Sequence, residues 1–402
     1  MSVSRTAWVA MAAVLLSAAA GCSRTRPVAP QLSPKEAAAK RFQAAKENEK
    51  VLAAVTVAHD LLGENYVDEA QGYLEKAGQI IEAVYRTDRH AAKAASLWHG
   101  ESAKIFRGEP YERCMTFLYK GLTYLLKGEL ENARNCFRSS SIQDAFAAES
   151  QFASDFFIAN YLEALCEEHM TPNNPAAAEI VGRIGQYKDT FRRPSKSDNL
   201  LVLCETGKAP GKIKEGEYGE RLVFVEGRDP VWAIEMSAGQ EKWYVYDAGN
   251  LFYQAATRGG RFVDCILHRK AMYKKAAGIS ANVFWSAAIV CFVAASQQSS
   301  GDSRQALLIA GAGCAAVGVT LYIVMKMITP SADTRAILAL PNRLYLRSCA
   351  LPPGARQLAF RFYDRYMNEV LSERSVTLPD NPNPSLVLYL TEQGQASSWG
   401  RR

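Results

Sequence analysis

Histidine is scarce in this chain: His59, His90, His99, His169 and His268 are the five among 402 residues, and none stands near a candidate nucleophile. Gly-x-Ser-x-Gly, His-Glu-x-x-His and Asp-x-Asp patterns are absent, which removes the common seeds of a hydrolase elbow or a zinc protease. A phosphate loop is missing as well. Gly207-Lys208-Ala209-Pro210-Gly211-Lys212 approaches one, but Thr206 occupies the place of the first glycine and Ile213 that of the Ser or Thr that holds magnesium. Cys166-Glu167-Glu168-His169 is half a metal site with no second half, and reads as a helix end. The nine cysteines follow no disulfide framework. Cys114 and Cys136, on two arms of one helical hairpin, are the pair to test, and the remainder read as buried thiols. Glu109 and Glu112 have the spacing of a helix cap or a solvated face, with Pro110 at the first turn. The expectation is therefore no catalytic, cofactor or metal site.

Charge of one sign is not concentrated either. Lys and Arg (47) exceed Asp and Glu (41) by a margin spread along the chain, which is weak evidence for nucleic acid and equally compatible with an anionic membrane surface; no nucleic-acid partner is expected. With 48% hydrophobic and 22% charged residues, the composition is that of a folded protein, and the length suggests two domains.

The N-terminus carries an address. Arg5 precedes an uncharged run from Ala7 to Ala20, then Gly21-Cys22-Ser23. A basic head, an apolar stretch too short to span, and small residues before the cut describe a secretory signal. A cysteine directly after Ala-Ala-Gly has the look of a bacterial lipoprotein signal over residues 1–22, with Cys22 lipidated. Ser23 then points to the outer membrane, facing the periplasm. Residues 23–33 are polar with two prolines and read as a tether.

Residues 34–188 read as helical. Ser33-Pro34-Lys35-Glu36 has the signature of a capped helix start, and Ala, Leu and Glu dominate from there. Phe117, Gly121, Tyr124, Gly128, Leu130, Ala133 and Phe137 have the spacing of a tetratricopeptide (TPR) helical hairpin, and Ala58, Leu61, Asn65, Val67, Ala70, Leu74 and Ala77 form a weaker copy. Ala70 and Ala133 are 63 residues apart, so an extra helix from about Arg89 to Phe106 is expected between the copies. A looser third pair is expected from Phe146 to Glu168 and Ala176 to Tyr187, around a Thr171–Pro175 turn.

After a polar break at 189–199 the pattern changes to short β-branched or aromatic runs: Leu200–Cys204, Leu222–Glu226, Val231–Glu235, Lys242–Tyr246, Leu344–Ser348, Gln357–Tyr363, Val370–Val376 and Leu386–Leu390. The expected class is α+β, with a TPR-like helical domain followed by a β-rich, sandwich-like or open-barrel domain over 200–402. An apolar helical hairpin at about 277–325 interrupts it. No charged residue occurs from Ala276 to Gly301 or from Gln305 to Met325. Twenty apolar residues in each arm reach about 30 Å, the thickness of a hydrocarbon core. The small residues Gly311, Ala312, Gly313, Ala315, Ala316 and Gly318 suit the inner face of such a pair. Bilayer insertion and burial against the sheet or an oligomer partner are the two open fates. Ser280, Asn282 and Ser286 make the first arm the more marginal span.

Several fragments together, Gly108-Glu109-Pro110-Tyr111-Glu112-Arg113, Gly207-Lys208-Ala209-Pro210, Ala332-Asp333-Thr334-Arg335 with Leu340-Pro341, and Leu351-Pro352-Pro353-Gly354, resemble a family of uncharacterised bacterial lipoproteins with TPR-like repeats and a β-rich C-terminal region. The family's Trp after Asp-Thr-Arg is replaced here by Ala336 and Ile337, and its Gly/Ala-rich central segment has lengthened into two span-length runs. The resemblance implies architecture and location, and no activity.

The expected function is a non-catalytic, lipid-anchored protein-protein interaction or assembly module of the cell envelope. Tyr111, Arg113 and Tyr124 are its candidate protein-binding residues; its partners are the membrane, other envelope proteins or further copies of itself. The alternative is a transport or pore accessory built on the hairpin. A cell-wall enzyme using Asp333 and Arg335 with a carboxylate or His268 ranks third.

Overall fold

A computed structural model describes residues 32–91, 104–144, 156–185, 191, 193–257, 262–299, 301–378, 386–391 and 395–399. Helix α1 (Pro34–Ala44) begins as its sequence dictates: Ser33 Oγ accepts from the Glu36 N–H, and the Glu36 carboxylate accepts from the Ser33 N–H at 2.9 Å. A 3-10 turn (Glu47–Glu49) leads to α2 (Lys50–Gly63) and α3 (Val67–Ala91), followed by α4 (Pro110–Leu126), α5 (Leu130–Asp144), α6 (Phe157–Met170) and α7 (Pro175–Gly185). The expected helix between Arg89 and Phe106 falls mostly outside the described residues, as does the start of the expected third pair.

The α2–α3 and α4–α5 hairpins turn by the same device, 63 residues apart. Asn65 and Gly128 both adopt left-handed backbone (φ 62° and 77°). Tyr66 N–H returns to Leu61 O at 2.8 Å, and Glu129 N–H to Tyr124 O at 2.9 Å, which closes each helix with a Schellman turn. Gly121 then lets α5 come close, since a Cβ built there would stand 2.5 Å from the Phe137 ring.

The β elements are β1 (Leu200–Thr206), β2 (Gly211–Glu215), β3 (Arg221–Val225), β4 (Ala233–Ala238), β5 (Glu241–Asn250), β6 (Arg343–Cys349), β7 (Gln357–Tyr363), β8 (Val370–Thr377), β9 (Leu386–Leu390) and β10 (Gln395–Trp399). Between β5 and β6 come α8 (Leu251–Ala256), α9 (Phe262–Ser296) and α10 (Asp302–Met327). Eight strands make one sheet in the order β10-β9-β1-β6-β5-β4-β7-β8, and β2–β3 is a separate ribbon. Only β1 and β9 run parallel among the paired strands of that sheet.

All seven residues of β1 are buried because each face of the strand meets a different core. Leu201 and Leu203 join the helices in one cluster that also takes in Leu344, Leu346, Val387 and Tyr389. Leu200, Val202 and Cys204 face the other way, into a cluster with Ile234 and Met236 of β4 and Leu358 and Phe360 of β7. Two halves of one sheet thus share a core, so the sheet curls upon itself. Arg374 of β8 bonds Thr391 O, just past β9, and draws the sheet's two ends together. Of the two expected forms, a single curled sheet enclosing the second core replaces the two stacked sheets of a sandwich and agrees with the open-barrel alternative. It also joins the two expected domains, because the first core runs without interruption from the helices into the sheet.

Candidate functional site

The structure brings three of the singled-out fragments together. Glu112, in the first turn of α4, is fully buried and accepts from the Glu109 N–H (2.7 Å), the Ile337 N–H (2.9 Å) and Lys212 Nζ (2.6 Å). Lys212 lies on β2, two residues beyond Pro210, and its ammonium also donates to Arg335 O (2.8 Å). It stands over the rings of Phe106 and Tyr111 at 5.5 and 5.8 Å. Arg335 is gripped by Asp333 (2.6 Å), Asn48 O and Lys104 O (3.0 Å each). Burial works against the Asp333 carboxylate, yet the hydrogen-bonded Arg335 holds it below the usual carboxylate range. The carboxylate of Glu112 therefore belongs to a buried ion pair that joins helix, ribbon and the strand-ward segment. It is not a solvated helix face; the cap alternative holds, since Glu109 is the N-cap of α4 ahead of Pro110 and Glu112 completes the capping box.

The three candidate binding residues separate. Tyr111 and Arg113 are 3% and 5% exposed. The Tyr111 ring meets Phe224 edge-on at 5.9 Å, and burial followed by the nearby Glu112 raises its phenol well above normal. Arg113 donates to Gln143 Oε1 (2.8 Å) and Gly108 O (2.7 Å). Both side chains are turned into the interior and bonded there, away from the surface a partner would meet. Tyr124 remains half-buried, its hydroxyl on Glu75 Oε1 at 2.8 Å, which ties one helical hairpin to the other. Cys22 lies outside the described residues.

A second polar cluster joins helices to sheet. His59 Nε2 and Glu205 Oε2 are 2.9 Å apart, and Tyr119 donates to Glu205 Oε1 at 2.7 Å. Asp60 Oδ1 lies 3.9 Å from His59 Nδ1, an ion-pair distance, and Asp60 also pairs with Arg41. Burial lowers the His59 pKa, but Asp60 and Glu205 outweigh it and raise the imidazole to about 9, so His59 is a cation at neutral pH. Burial followed by the charge of Glu205 raises Tyr119 and Tyr389 well above the normal phenol range. No sequence signal paired these residues, since His59 and Glu205 are 146 positions apart.

The hairpin is the most exposed apolar feature. Over the apolar windows of Leu267–Ser296 and Asp302–Met327, 11% of each is buried. Ala281, Ala288 and Ala295, seven residues apart, form the inner seam of α9 with Gly311 and Gly318 of α10. A Cβ at Gly311 would lie 2.9 Å from the Phe292 ring. Ala312, Gly313 and Ala316 face outward instead, which corrects the expected inner face, and so do Asn282 and Ser286. Val290 and Ile309 are each 67% exposed. Among the described residues the arms pack on each other, and the foot meets the rest of the chain where Leu267 packs with Leu222 of the β2–β3 ribbon and Ala332.

The remaining candidates are occupied by structural work. Glu168 bonds the Asn173 N–H (3.1 Å) and Arg193 (2.7 Å) beside Cys166, whose thiol burial pushes far up. Cys136 is pushed up to about 11 by burial, and Cys114 and Cys136 are free thiols. Gly207 turns with φ 70° toward Asp229 and Asn342, and the lysine of the loop-like segment is the one held by Glu112. His268 is exposed on α9. No group of three or more His, Cys, Asp or Glu with metal-binding geometry occurs among the described residues. No protein-family model, no curated protein and no solved structure matches this chain.

Proposed function

We propose that this chain is a non-catalytic assembly protein of the bacterial cell envelope, held at a bilayer by an acyl group on Cys22 and by the α9–α10 hairpin. Its TPR-like helical layer docks other envelope proteins. The observation that carries this reading is the hairpin: two arms of span length, mean hydropathy 1.8 and 2.2, leave their outer faces to the surroundings. Apolar side chains in that number are not left in water by a monomeric soluble protein. The matched turns at Asn65 and Gly128, with the Gly121–Phe137 approach, support the TPR-like reading. Such arrays present surfaces to proteins far more often than they catalyse.

Alkaline carbonate extraction of a Cys22→Ala variant tests the hairpin anchor without the lipid. The variant stays in the membrane pellet, and additional deletion of 277–325 releases it. Full release of Cys22→Ala by carbonate overturns the anchor. A pull-down from detergent-solubilised membranes returns an envelope partner; none above background, from a monomer by light scattering, counts against docking.

A second reading, a pore or transport accessory, is favoured by the outward-facing Asn282 and Ser286, which need partners in hydrocarbon and find them if hairpins assemble. Crosslinking in native membranes separates the two: a ladder of homo-oligomers supports the pore, a single hetero-complex the docking module.

A further inference from the structure

The two ends of the hairpin differ in chemistry. At the tip, residues 297–305 carry one acid and one base, Asp302 and Arg304, among Gln, Ser and Gly. At the foot, Lys274 and Lys275 end the charged part of α9, and Lys326 stands at the same level on α10. The register is set by Gly278, whose Cβ would meet Met325 Sδ at 2.9 Å. Tyr273 and Tyr322 are exposed there too, at 64% and 48%. Lys326 Nζ stands 5.5 Å over the Tyr322 ring, and Lys274 Nζ stands 5.1 Å over Tyr218 while donating to Ile328 O at 3.1 Å. Arg269 is exposed a turn and a half further from the apolar stretch.

We propose that this foot is a binding site for the phosphate of anionic phospholipid, placed where headgroups meet hydrocarbon. The proposal rests on the membrane reading above and gives it a ligand and a direction: the body lies on the headgroups and the polar tip reaches the far side. Tyrosine, with an apolar ring and a polar hydroxyl, settles at that boundary. Lysine stems lie along the apolar surface and carry the ammonium to the phosphate level. Among the described residues of the β2–β3 ribbon beside the foot, the carboxylates are Glu215 at the end of β2 and Glu217 and Glu220 in the turn. Glu220 accepts from the Tyr218 N–H (3.0 Å) and Glu215 is 3.8 Å from Arg221. Glu217 pairs with Lys275 at 3.2 Å, but both side chains are more than half exposed, so that pair is weak and yields to a phosphate. Lys326 and Arg269 have no carboxylate within ion-pair distance among the described residues. The cations thus outnumber the acids that hold them.

The test uses the full-length protein in uncharged detergent, with native mass spectrometry against phosphatidylglycerol, phosphatidylcholine and inorganic phosphate. Phosphatidylglycerol is retained in preference to phosphatidylcholine, and inorganic phosphate does not displace it. Arg269→Gln, Lys275→Gln and Lys326→Gln weaken retention by roughly fivefold per cation removed. Lys275→Arg with Lys326→Arg keeps it, which separates charge from folding. Equal retention of the two lipids, an unchanged triple variant, or full displacement by inorganic phosphate each overturns the lipid site. Carbonate extraction of Cys22→Ala carrying the same three substitutions separates the two claims. Pelleting without lipid preference sinks the headgroup site alone, and release of Cys22→Ala itself sinks the membrane reading.

Discussion

Lys212 Nζ sits 2.6 Å from Glu112 Oε2 across one hundred residues of sequence, where neither side chain is exposed by more than 1%. The pair welds the first turn of α4 to the β2–β3 ribbon. Through Arg335 O and the Ile337 N–H it also welds both to the segment that leaves the hairpin.

Removing one partner of such a pair strands the other charge in the interior. Glu112→Gln is expected to lower unfolding stability by about 3–5 kcal/mol. Lys212→Met alone has a similar cost, while the double change Glu112→Leu with Lys212→Met recovers most of it. Chemical denaturation in detergent measures all three, and additive losses in the double variant would refute the pairing.

The His59 cluster gives a pH dependence of defined sign. The folded imidazole titrates at about 9 against 6.5 for the free group, so the native state binds the extra proton. Its contribution, on the order of 3 kcal/mol, is complete below pH 6.5, fades between 6.5 and 9, and is gone above. Denaturation midpoints at pH 6, 7.5 and 9.5 should fall in that order, and His59→Gln should flatten the slope. A wild-type midpoint that rises with pH over this window would contradict the assignment.

At Gly121 the constraint is steric. A methyl there meets Phe137, which is fully buried and has nowhere to go. Gly121→Ala is expected to lose about 1–3 kcal/mol by overpacking. Gly72→Ala, with open space around its Cβ, should gain or remain neutral. Thermal unfolding of the two variants side by side reads the difference.

Cys291 and Cys314 lie within the hairpin arms, both partly exposed in the isolated chain. In reconstituted vesicles a charged, membrane-impermeant maleimide should leave both unmodified, whereas denaturation opens them to it. Peptide mass spectrometry assigns the sites. Rapid labelling of both thiols in intact vesicles would place the arms in water.

Local structure was well marked in the residues. The strands at Gln357–Tyr363 and Leu386–Leu390 lie where their β-branched or aromatic runs placed them, and the Ser33 cap is formed by the atoms its pattern names. Two strands gave no such sign. Gly211–Glu215 is Gly-Lys-Ile-Lys-Glu and Gln395–Trp399 is Gln-Ala-Ser-Ser-Trp, neither with a β-branched run to distinguish it from loop. Each exists because a partner strand supplies the hydrogen bonds.

The chain's own order of residues was enough to determine the caps, the two matched helix turns, most strands and the lengths of both apolar arms. All of these are set by backbone sterics and by burial periodicity over a few neighbours. Only the tertiary structure decided that the sheet curls into a single enclosure, that Tyr111 and Arg113 point inward, and that Glu112 and His59 are buried ions. Each of those outcomes depends on partners on other elements, from Gln143 thirty positions from Arg113 to Glu205 146 positions from His59, or on which face of a strand meets which neighbour. No local pattern encodes that distance, because burial is a property of the assembled fold.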